Sequence, residues 1–404
     1  MTDEPLIRPP DISIDGTMLD PGSGLRRDSP RPIALRNAAY NAGFDWDTLF
    51  YDCYRVGRHV VLQGPPFLNL LAPLLASAPL NRRWFGRARP ISINKRGEIW
   101  LRNNTDTLAL TGPDTLALTG TDTLALVGPI GTYRLTIQPD MAPLFAGRRV
   151  IHTLSKDNAP RWIHDWVRFY QSEHGADAVL IHDNGSSLYS TAELQAGLRA
   201  AFPAMVIHVV SWPFRYGPQG GMAGAVNGQE APWDSDFCQT GSMQHARLRF
   251  LRTAKSVLNV DIDELVLSNR GRSIFAATEQ TRHGFIKFPG QWISGASPNP
   301  VRQDMCRHAD FIHRDRAETR QCPPKWCIVP ARHNPFRTSW SVHNLFGSRH
   351  NRHLDSDFTY RHMTAISNSW KEDRSVTSRI DPGESSEDRA LIAAFLRAGL
   401  APHI

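Results

Sequence analysis

Three carboxylates sit inside an otherwise apolar run at residues 256–269, SVLNVDIDELVLSN: Asp261, Asp263 and Glu264. The flanking VLNV and LVL leave little room for a long loop, so the run reads as a strand that carries acids. Along a strand, residues i and i+2 share a face. That puts Asp261 and Asp263 together and turns Ile262 toward the core. Two carboxylates on one face repel each other unless a cation lies between them. Mg²⁺ or Mn²⁺ meets that need, taking one or two carboxylates and filling the remaining positions with water and substrate phosphate. Such an ion neutralises charge on a departing diphosphate. The bland alternative is a surface loop with solvated acids.

Other acidic and phosphate motifs fit less well. Counted from Asp261, a calcium-binding EF-hand loop needs an acidic or amide residue at position 5 and Gly at position 6, where this chain has Leu265 and Val266. A DxDx[TV] phosphohydrolase pattern also fails at Leu265. The glycine-rich stretch YGPQGGMAGAVNG has no GK[ST], so it is not a phosphate-binding P-loop.

The elements that must position the carboxylates alternate. RRVIHTLS reads as a strand and APRWIHDWVRFYQSEHG as an amphipathic helix stopped by Gly175. ADAVLIHDNGS is a buried strand running into a turn. TAELQAGLRAAFP is a helix with Thr191 as N-cap, AMVIHVVSW a strand, SMQHARLRFLRTAK a helix and SVLNVDIDELVL the next strand. This alternation predicts a mostly parallel sheet with helices on both faces. In such sheets ligands bind beyond the carboxyl ends of the strands, where Asp183 and the 261–264 cluster lie. After 285 the patterning loosens into an aromatic, Gly, Pro, His and Arg mixture that suits a loop-rich substrate-binding half or, equally, a poorly patterned α+β extension. SSEDRALIAAFLRAGL closes the chain as a helix capped by Ser385 or Ser386.

Ahead of this α/β region the character differs. Residues 1–30 read as a flexible lead-in. Residues 31–148 read as a small, mainly β domain, with a period-eight repeat, DTLALTGP DTLALTGT DTLALVGP, at 106–129. Each copy is an alternating stretch closed by a turn glycine. It suits a structural strand-and-turn role.

The 404 residues carry 46 Lys and Arg against 39 Asp and Glu, a net charge of +7. That mild, arginine-borne bias suits an anionic small ligand or an anionic membrane surface, and is not the dense basic block of a nucleic-acid tail. The five cysteines are scattered, and the N-terminal stretch is acidic and proline-rich without an apolar core. A reducing cytoplasm is the expectation. FLNLLAPLLASAPL is too short to span a bilayer. Peripheral contact with the inner membrane is left open.

Taken together, WIHDWVRFYQSEHGADAVLIHDNGSS, the helix ending at Lys255 and VLNVDIDELVL resemble the nucleotide-sugar-binding half of a GT-A (Rossmann-like) glycosyltransferase. They are most similar to the family 92-like, or DUF23-like, group and its bacterial relatives in the family 2 clan. The downstream order KFPGQWISGAS, KWCIVPARH, WSVHN, FTYRHMTAISNSWKEDR is similar too. The resemblance covers roughly 150–375 and implies a GT-A domain at 149–404, with a nucleotide half to about 270 and an acceptor half beyond.

Carried over by position, the resemblance implies Asp261 and Asp263 at the metal (Mn²⁺ or Mg²⁺) and donor diphosphate, with His343 completing that site. It places Asp183 at the base or ribose, and Thr153 and Ser155 in the same nucleotide pocket. Lys325 and Lys371 are candidates for the donor phosphates. Trp292 and Trp340 are candidates for sugar stacking. Each has an ordinary alternative: an Asx-turn with Gly185 and Ser186 for Asp183, a partly buried histidine for His343, solvation for the lysines, core packing for the tryptophans. Inverting transfer needs a carboxylate to deprotonate the acceptor hydroxyl. Asp304, Asp310 and Asp315 are the candidates, unranked. The implied activity is sugar transfer from a nucleotide donor, UDP-linked, to a bacterial glycan or polysaccharide. The competing reading is a carbohydrate-binding scaffold with a degenerate GT-A domain.

Because the repeat lies outside the region of resemblance, deleting residues 114–121, one whole period, should preserve transfer activity, the register on either side being kept. A folded deletion variant without activity would show that the β region contributes to the site.

Overall fold

In the computed structural model of the chain, the described residues are 12, 14–81, 88–102, 122–218, 233–297, 305–367, 380–381 and 383–401. They form two compact units, 1–28 with 46–91 and 97–140, and 29–45 with 92–96 and 141–404. The boundary read from sequence at 148/149 thus lies at 140/141, and two short excursions join the second unit. Asp304, Lys371 and the first two repeat copies lie outside the described residues.

The first unit is mainly β. Strands Asp52–Val56, His59–Gly64, Gly97–Arg102 and Arg89–Ile91 make an antiparallel sheet in that order. The third repeat copy forms strand Thr123–Gly128, paired with Gly131–Thr136. Its period-two alternation buries Leu124 and Leu126 while Ala125 stays exposed. Gly128 is required there, because a Cβ would meet Ser77 Cα at 2.7 Å. Part of the expected flexible lead-in is tied down. Thr17–Met18 pairs with Thr48–Phe50, and the buried Arg27 donates to the carbonyls of Pro66 and Thr48. A guanidinium with carbonyl partners holds this segment where composition suggested disorder.

The second unit is built on one sheet. Its strands are β1 (Arg149–Ser155), β2 (Ala178–Asp183), β3 (Val206–Ser211), β4 (Ser256–Asn259), β5 (Glu264–Ser268), β6 (Phe285–Ile293), β7 (Cys322–Ile328) and β8 (Phe358–Met363). They lie in the order β3-β2-β1-β4-β7-β6-β8-β5. From β3 to β4 the neighbours are parallel. Beyond β4 the β7 contacts and the β8–β5 pair are antiparallel, and β6–β8 is parallel. The sheet is therefore mixed, and the all-parallel pattern stops at β4. Parallel neighbours need crossover connections, and the loop-rich second half supplies few helices to make them.

Helix α1 (Pro160–His174) starts with Pro at its first turn and ends at Gly175 with φ 67°. Its buried stripe includes Trp162, Trp166, Phe169 and Tyr170. Helix α2 (Thr191–Ala201) is capped by Ser190, not Thr191, in a capping box with Glu193. The next helical stretch begins earlier than expected. It runs as α3 (Phe237–His245) and widens to a π-helical turn at Ala246–Phe250. Helix α4 (Ile274–Gln280) packs beside β4, β6 and β7. Helix α5 (Arg389–Ala398) is capped by Asp388, whose Oδ1 accepts from Leu391 N. The expected caps Ser385 and Ser386 instead belong to a short strand paired with His313–Asp315. No helix among the described residues is long and apolar enough to cross a membrane.

One expectation fails in an informative way. SVLNVDIDELVL is two strands, β4 and β5, separated by a turn at 260–263. β4 lies in the middle of the sheet and β5 at its edge. The acidic residues occupy the crossing, so a shared strand face is not what brings them together.

Buried imidazoles make the unit acid-sensitive. His152, His182 and His245 form a chain on β1, β2 and α3, with ring nitrogens 3.2 and 2.9 Å apart, and His152 Nδ1 faces Asn259 Oδ1 at 3.4 Å. Burial pushes His152, His174 and His208 down to about 4, and holds His182 well below the usual imidazole range. A base depressed on folding contributes stability that is complete above its unfolded pKa, about 6.5, and is lost as pH falls toward the folded value. Glu264, pushed up to about 7 by burial, acts in the opposite sense in much of the same window. It is outnumbered. The melting temperature should fall between about pH 6.5 and pH 4.5, and replacing His152 by Asn should flatten that slope. A pH-independent melting curve over this range would contradict the assignment.

Candidate active site

Passing from β4 to β5, the chain crosses the ends of β7, β6 and β8. Each of these strands presents one side chain to the acidic turn or beside it: Lys325 from β7, Trp292 from β6 and His362 from β8. His362 stands opposite Glu264 across the β8–β5 pair and opposite Trp292 across the β6–β8 pair. Strand register thus fixes the site.

The turn is also held from below. Asp261 N donates to Glu264 Oε2 at 2.8 Å, and Glu264 N donates to Asp261 O at 3.1 Å. His308 lies 2.8 Å from the Ile262 carbonyl. Tyr170 of α1 donates to Glu264 O at 2.8 Å and accepts from Val266 N at 3.1 Å. Met363 N donates to Asp263 O at 2.8 Å.

The carboxylates are matched by cations. Lys325 Nζ, buried, lies 2.7 Å from Asp261 Oδ2 and 2.9 Å from Glu264 Oε2. Burial opposes its charge, but the two carboxylates override burial and raise its pKa. Asp261 keeps a side-chain exposure of 37% toward the cleft. Burial opposes its ionisation too, yet Lys325 pulls its pKa down. Asp263 Oδ2 lies 3.0 Å from His362 Nε2. There burial disfavours the imidazolium, and Asp263 outweighs it, pushing His362 up to about 10. Trp292 stacks on His362 with ring centroids 4.2 Å apart.

A cleft of about 1160 Å³ opens over this turn. It extends past the ends of β1 and β2, where Ser155, Lys156, Asn184 and Gly185 line it. Arg215, Tyr216 and Asp236 line another side. Asp236 pairs with Lys95, and Lys156 Nζ donates to the Gly185 carbonyl at 2.8 Å. This volume exceeds the usual range for small-molecule clefts, roughly 300–1,000 Å³.

Of the residues nominated from sequence, Ser155, Asp261, Asp263, Trp292 and His343 line the cleft. His343 Nδ1 lies 3.1 Å from the Pro324 carbonyl. Others stand elsewhere. Asp183 is buried, its carboxylate accepting from Ser186 N at 2.9 Å and Ser186 Oγ at 2.5 Å. It forms the Asx-type turn, and its neighbour Asn184 reaches the cleft. Thr153 is buried inside β1, and Trp340 is buried against Trp326. Lys325 is committed to Asp261 and Glu264, so it is a counter-ion to the turn and not a solvated phosphate ligand. Asp310 is buried and accepts from Arg307 N at 2.7 Å within its own turn. Asp315 lines a second, smaller cavity of about 160 Å³ with Trp292, Glu318 and Arg320.

The metal set read from sequence was Asp261, Asp263 and His343. Among the described residues, the group whose ligand atoms all lie within 4.8 Å of one another is Asp263, Glu264 and His362. Two carboxylate oxygens and an imidazole nitrogen suit Mn²⁺. His362 lay inside the quoted FTYRHM, but only the β5–β8 pairing brings it to the carboxylates. Lys156 and His308 carried no sequence signal of their own, while Asn184 was visible only as part of DNGS and Tyr170 only as part of the apolar stripe of α1.

No family model matches the chain, and no curated protein matches it. Among solved structures, it is similar to the apo structure of the bifunctional glycosyltransferase WbbM at 12% identity and TM-score 0.22, over 34% of this chain and 23% of that one. It is similar to the mannosyltransferase Ktr4p from S. cerevisiae at 11% identity and TM-score 0.24, over 36% and 39%. It is also similar to the galactosyltransferase LgtC in complex with donor and acceptor sugar analogs, at 12% identity and TM-score 0.25, over 63% and 97%. The match thus spans well under two thirds of the first two proteins. At these scores the likeness carries no argument about activity, which rests on this chain's own residues.

Removing Lys325 tests the electrostatics of the turn. Breaking a buried ion pair by deleting one partner costs about 3–5 kcal/mol, because the other charge stays buried without its partner. Lys325→Met should lower unfolding stability by about that amount, and Lys325→Arg by less. Denaturant titration reads both. A loss under about 1 kcal/mol for Lys325→Met would mean that the carboxylates find other compensation.

Proposed function

We propose that the second unit is a GT-A glycosyltransferase, transferring a sugar from a UDP-linked donor to a glycan or polysaccharide acceptor with inversion, in the making of a bacterial surface glycan. One observation carries this reading. An acidic turn with its own cations lies in a cleft large enough for a nucleotide sugar, reached from the carboxyl ends of parallel strands. That is where open α/β sheets bind nucleotides.

In this reading the nucleoside lies toward Ser155, Lys156 and Asn184, and the diphosphate toward the acidic turn. Asp263, Glu264 and His362 would hold Mn²⁺ or Mg²⁺. When bound, the ion neutralises charge gathering on the leaving diphosphate. Asp261, held by Lys325, presents its open oxygen to the donor. Trp292 offers an aromatic edge to the acceptor. Of the candidate bases, Asp310 is committed to its own turn and Asp304 lies outside the described residues, which leaves Asp315 to be tested first. As base it would take the acceptor hydroxyl proton while the oxygen attacks the anomeric carbon and the diphosphate departs.

A second reading has its own support. Lys325 and His362 already stand beside the carboxylates as cations, which favours donor binding at the same site without a divalent ion.

A thermal-shift screen of nucleotide sugars with and without Mn²⁺ separates the readings. A ligand at about 100 times its Kd stabilises the folded state by about 2.7 kcal/mol. The expected result is a shift with a UDP-sugar that needs Mn²⁺ and is lost in Asp263→Ala, a variant that still folds. A shift indifferent to chelator favours the resident cations. The absence of a shift with any nucleotide sugar would overturn the enzyme reading in favour of a carbohydrate-binding scaffold.

A further inference from the structure

The same part of the fold that brings His343 to the cleft carries a different surface. Ser339–Trp340 and Leu345–Phe346 form a short hairpin, whose turn lines the cleft with Ser341, Val342 and His343. The chain then runs through FGSRHNRHL, residues 346–354. Phe346 and Leu354 are 45% and 53% exposed. Between them Arg349 and Arg352 are exposed on a 3₁₀ turn, as is His353 just after it.

This loop is built rigidly. Asn351 Nδ2 donates to the carbonyls of Leu345 and Ser348 at 2.7 and 3.0 Å, and its Oδ1 accepts from Leu345 N at 3.0 Å. Lys287 Nζ donates to Asn344 Oδ1 at 2.6 Å and Asn351 O at 3.2 Å. Gly347, at φ 80°, passes so close to the Arg337 carbonyl that a Cβ there would sit 2.2 Å from it.

More cations gather beside it. His350 stacks on His283 at 4.0 Å, which brings in the exposed Arg282. Arg332, also exposed, donates to the carbonyls of Thr281 and Glu279. The electrostatic influences on His350, besides its burial, come from His283, Arg349 and His353, all of one sign. The nearby carboxylates are occupied. Glu279 is held by Arg149 and Lys255, Asp357 by Arg272, and Asp355 accepts from the backbone of Asp357 and Phe358.

The geometry points to the 346–354 loop, with Arg282 and Arg332, as a docking surface for an anionic lipid bilayer. The arginines match a negative surface potential. The exposed Phe346 and Leu354 flank them as side chains for the headgroup boundary, the pairing of cations and apolar groups that interfacial binding uses. A soluble polyanion would use the arginines and gain nothing from the two apolar tips. Docking there would hold the His343 side of the cleft near the membrane. The inference stands on this surface alone and does not depend on the proposed reaction.

Sedimentation of the full chain with phosphatidylcholine vesicles, with and without phosphatidylglycerol, tests it. Binding should require the anionic lipid and weaken with salt. Each arginine near such a surface is worth roughly fivefold in affinity, so Arg349→Gln with Arg352→Gln should weaken binding by roughly 25-fold. Phe346→Ser with Leu354→Ser, a separate variant, should weaken it as well. All four side chains are exposed, and unchanged melting temperatures confirm that the variants fold. The proposal is overturned if wild type ignores the anionic vesicles, or if the arginine pair can be removed without loss. It is equally overturned if the apolar pair can be removed without loss while a soluble acidic polysaccharide displaces the vesicles, which would mark a polyanion site.

Discussion

The second unit depends on one constraint: a chain bearing three carboxylates must cross from the middle of a sheet to its edge. β4 and β5 are four residues apart in sequence and four positions apart in the sheet. The strands between them arrive later, from residues 285–293, 322–328 and 358–363. Each must come with a side chain that the acids tolerate. β7 brings Lys325, β8 brings His362, and β6 brings Trp292, which stacks on His362. The later strands are thus tied to the earlier part of the sheet by charge as well as by hydrogen-bond ladders.

The two aspartates of DID end in different environments because of this crossing. Had they lain on one strand, they would share a face and a partner. In the turn, Asp261 meets an ammonium and Asp263 an imidazole. Glu264 reaches back to the Asp261 amide and also accepts from Lys325. Glu264, which the metal set read from sequence did not include, therefore closes the turn, and with Asp263 and His362 it makes the compact ligand group.

What the sequence revealed, and what it hid, follows from the range of the interactions. Helix α1 was legible because its apolar spacing and its Gly175 stop are local. The strand around Asp183 was legible for the same reason, and so was the Asx-type turn that its DNGS implies. The break between β4 and β5 was not, since VLNV and LVL look alike whether or not one strand joins them. Ser190 was overlooked beside Thr191 because both are good caps, and only the reciprocal Glu193 bond chooses. Lys325 and His362 could be noted as residues, but their roles come from pairings 64 and 99 residues apart. The contacts of Tyr170 and His308 with the turn, 94 and 46 residues apart, are hidden for a second reason: a hydroxyl and a ring nitrogen face backbone carbonyls, which no side-chain motif records.

Charge compensation at the turn bears on stability and function in opposite ways. A buried ion pair recovers in attraction about what it loses in desolvation, so an apolar replacement of the whole set can be as stable. Stability alone therefore does not explain why Lys325, Asp261 and Glu264 are kept together. Geometry does. The ammonium bridges two carboxylates across a turn that has no regular hydrogen-bond ladder, and it fixes which oxygen of Asp261 faces inward. Asp261 nonetheless keeps part of its side chain exposed and lines the cleft. A preorganised polar group costs no reorganisation when a charged ligand arrives. The crossing that creates an electrostatic problem in the fold thereby also aims a carboxylate into the cleft.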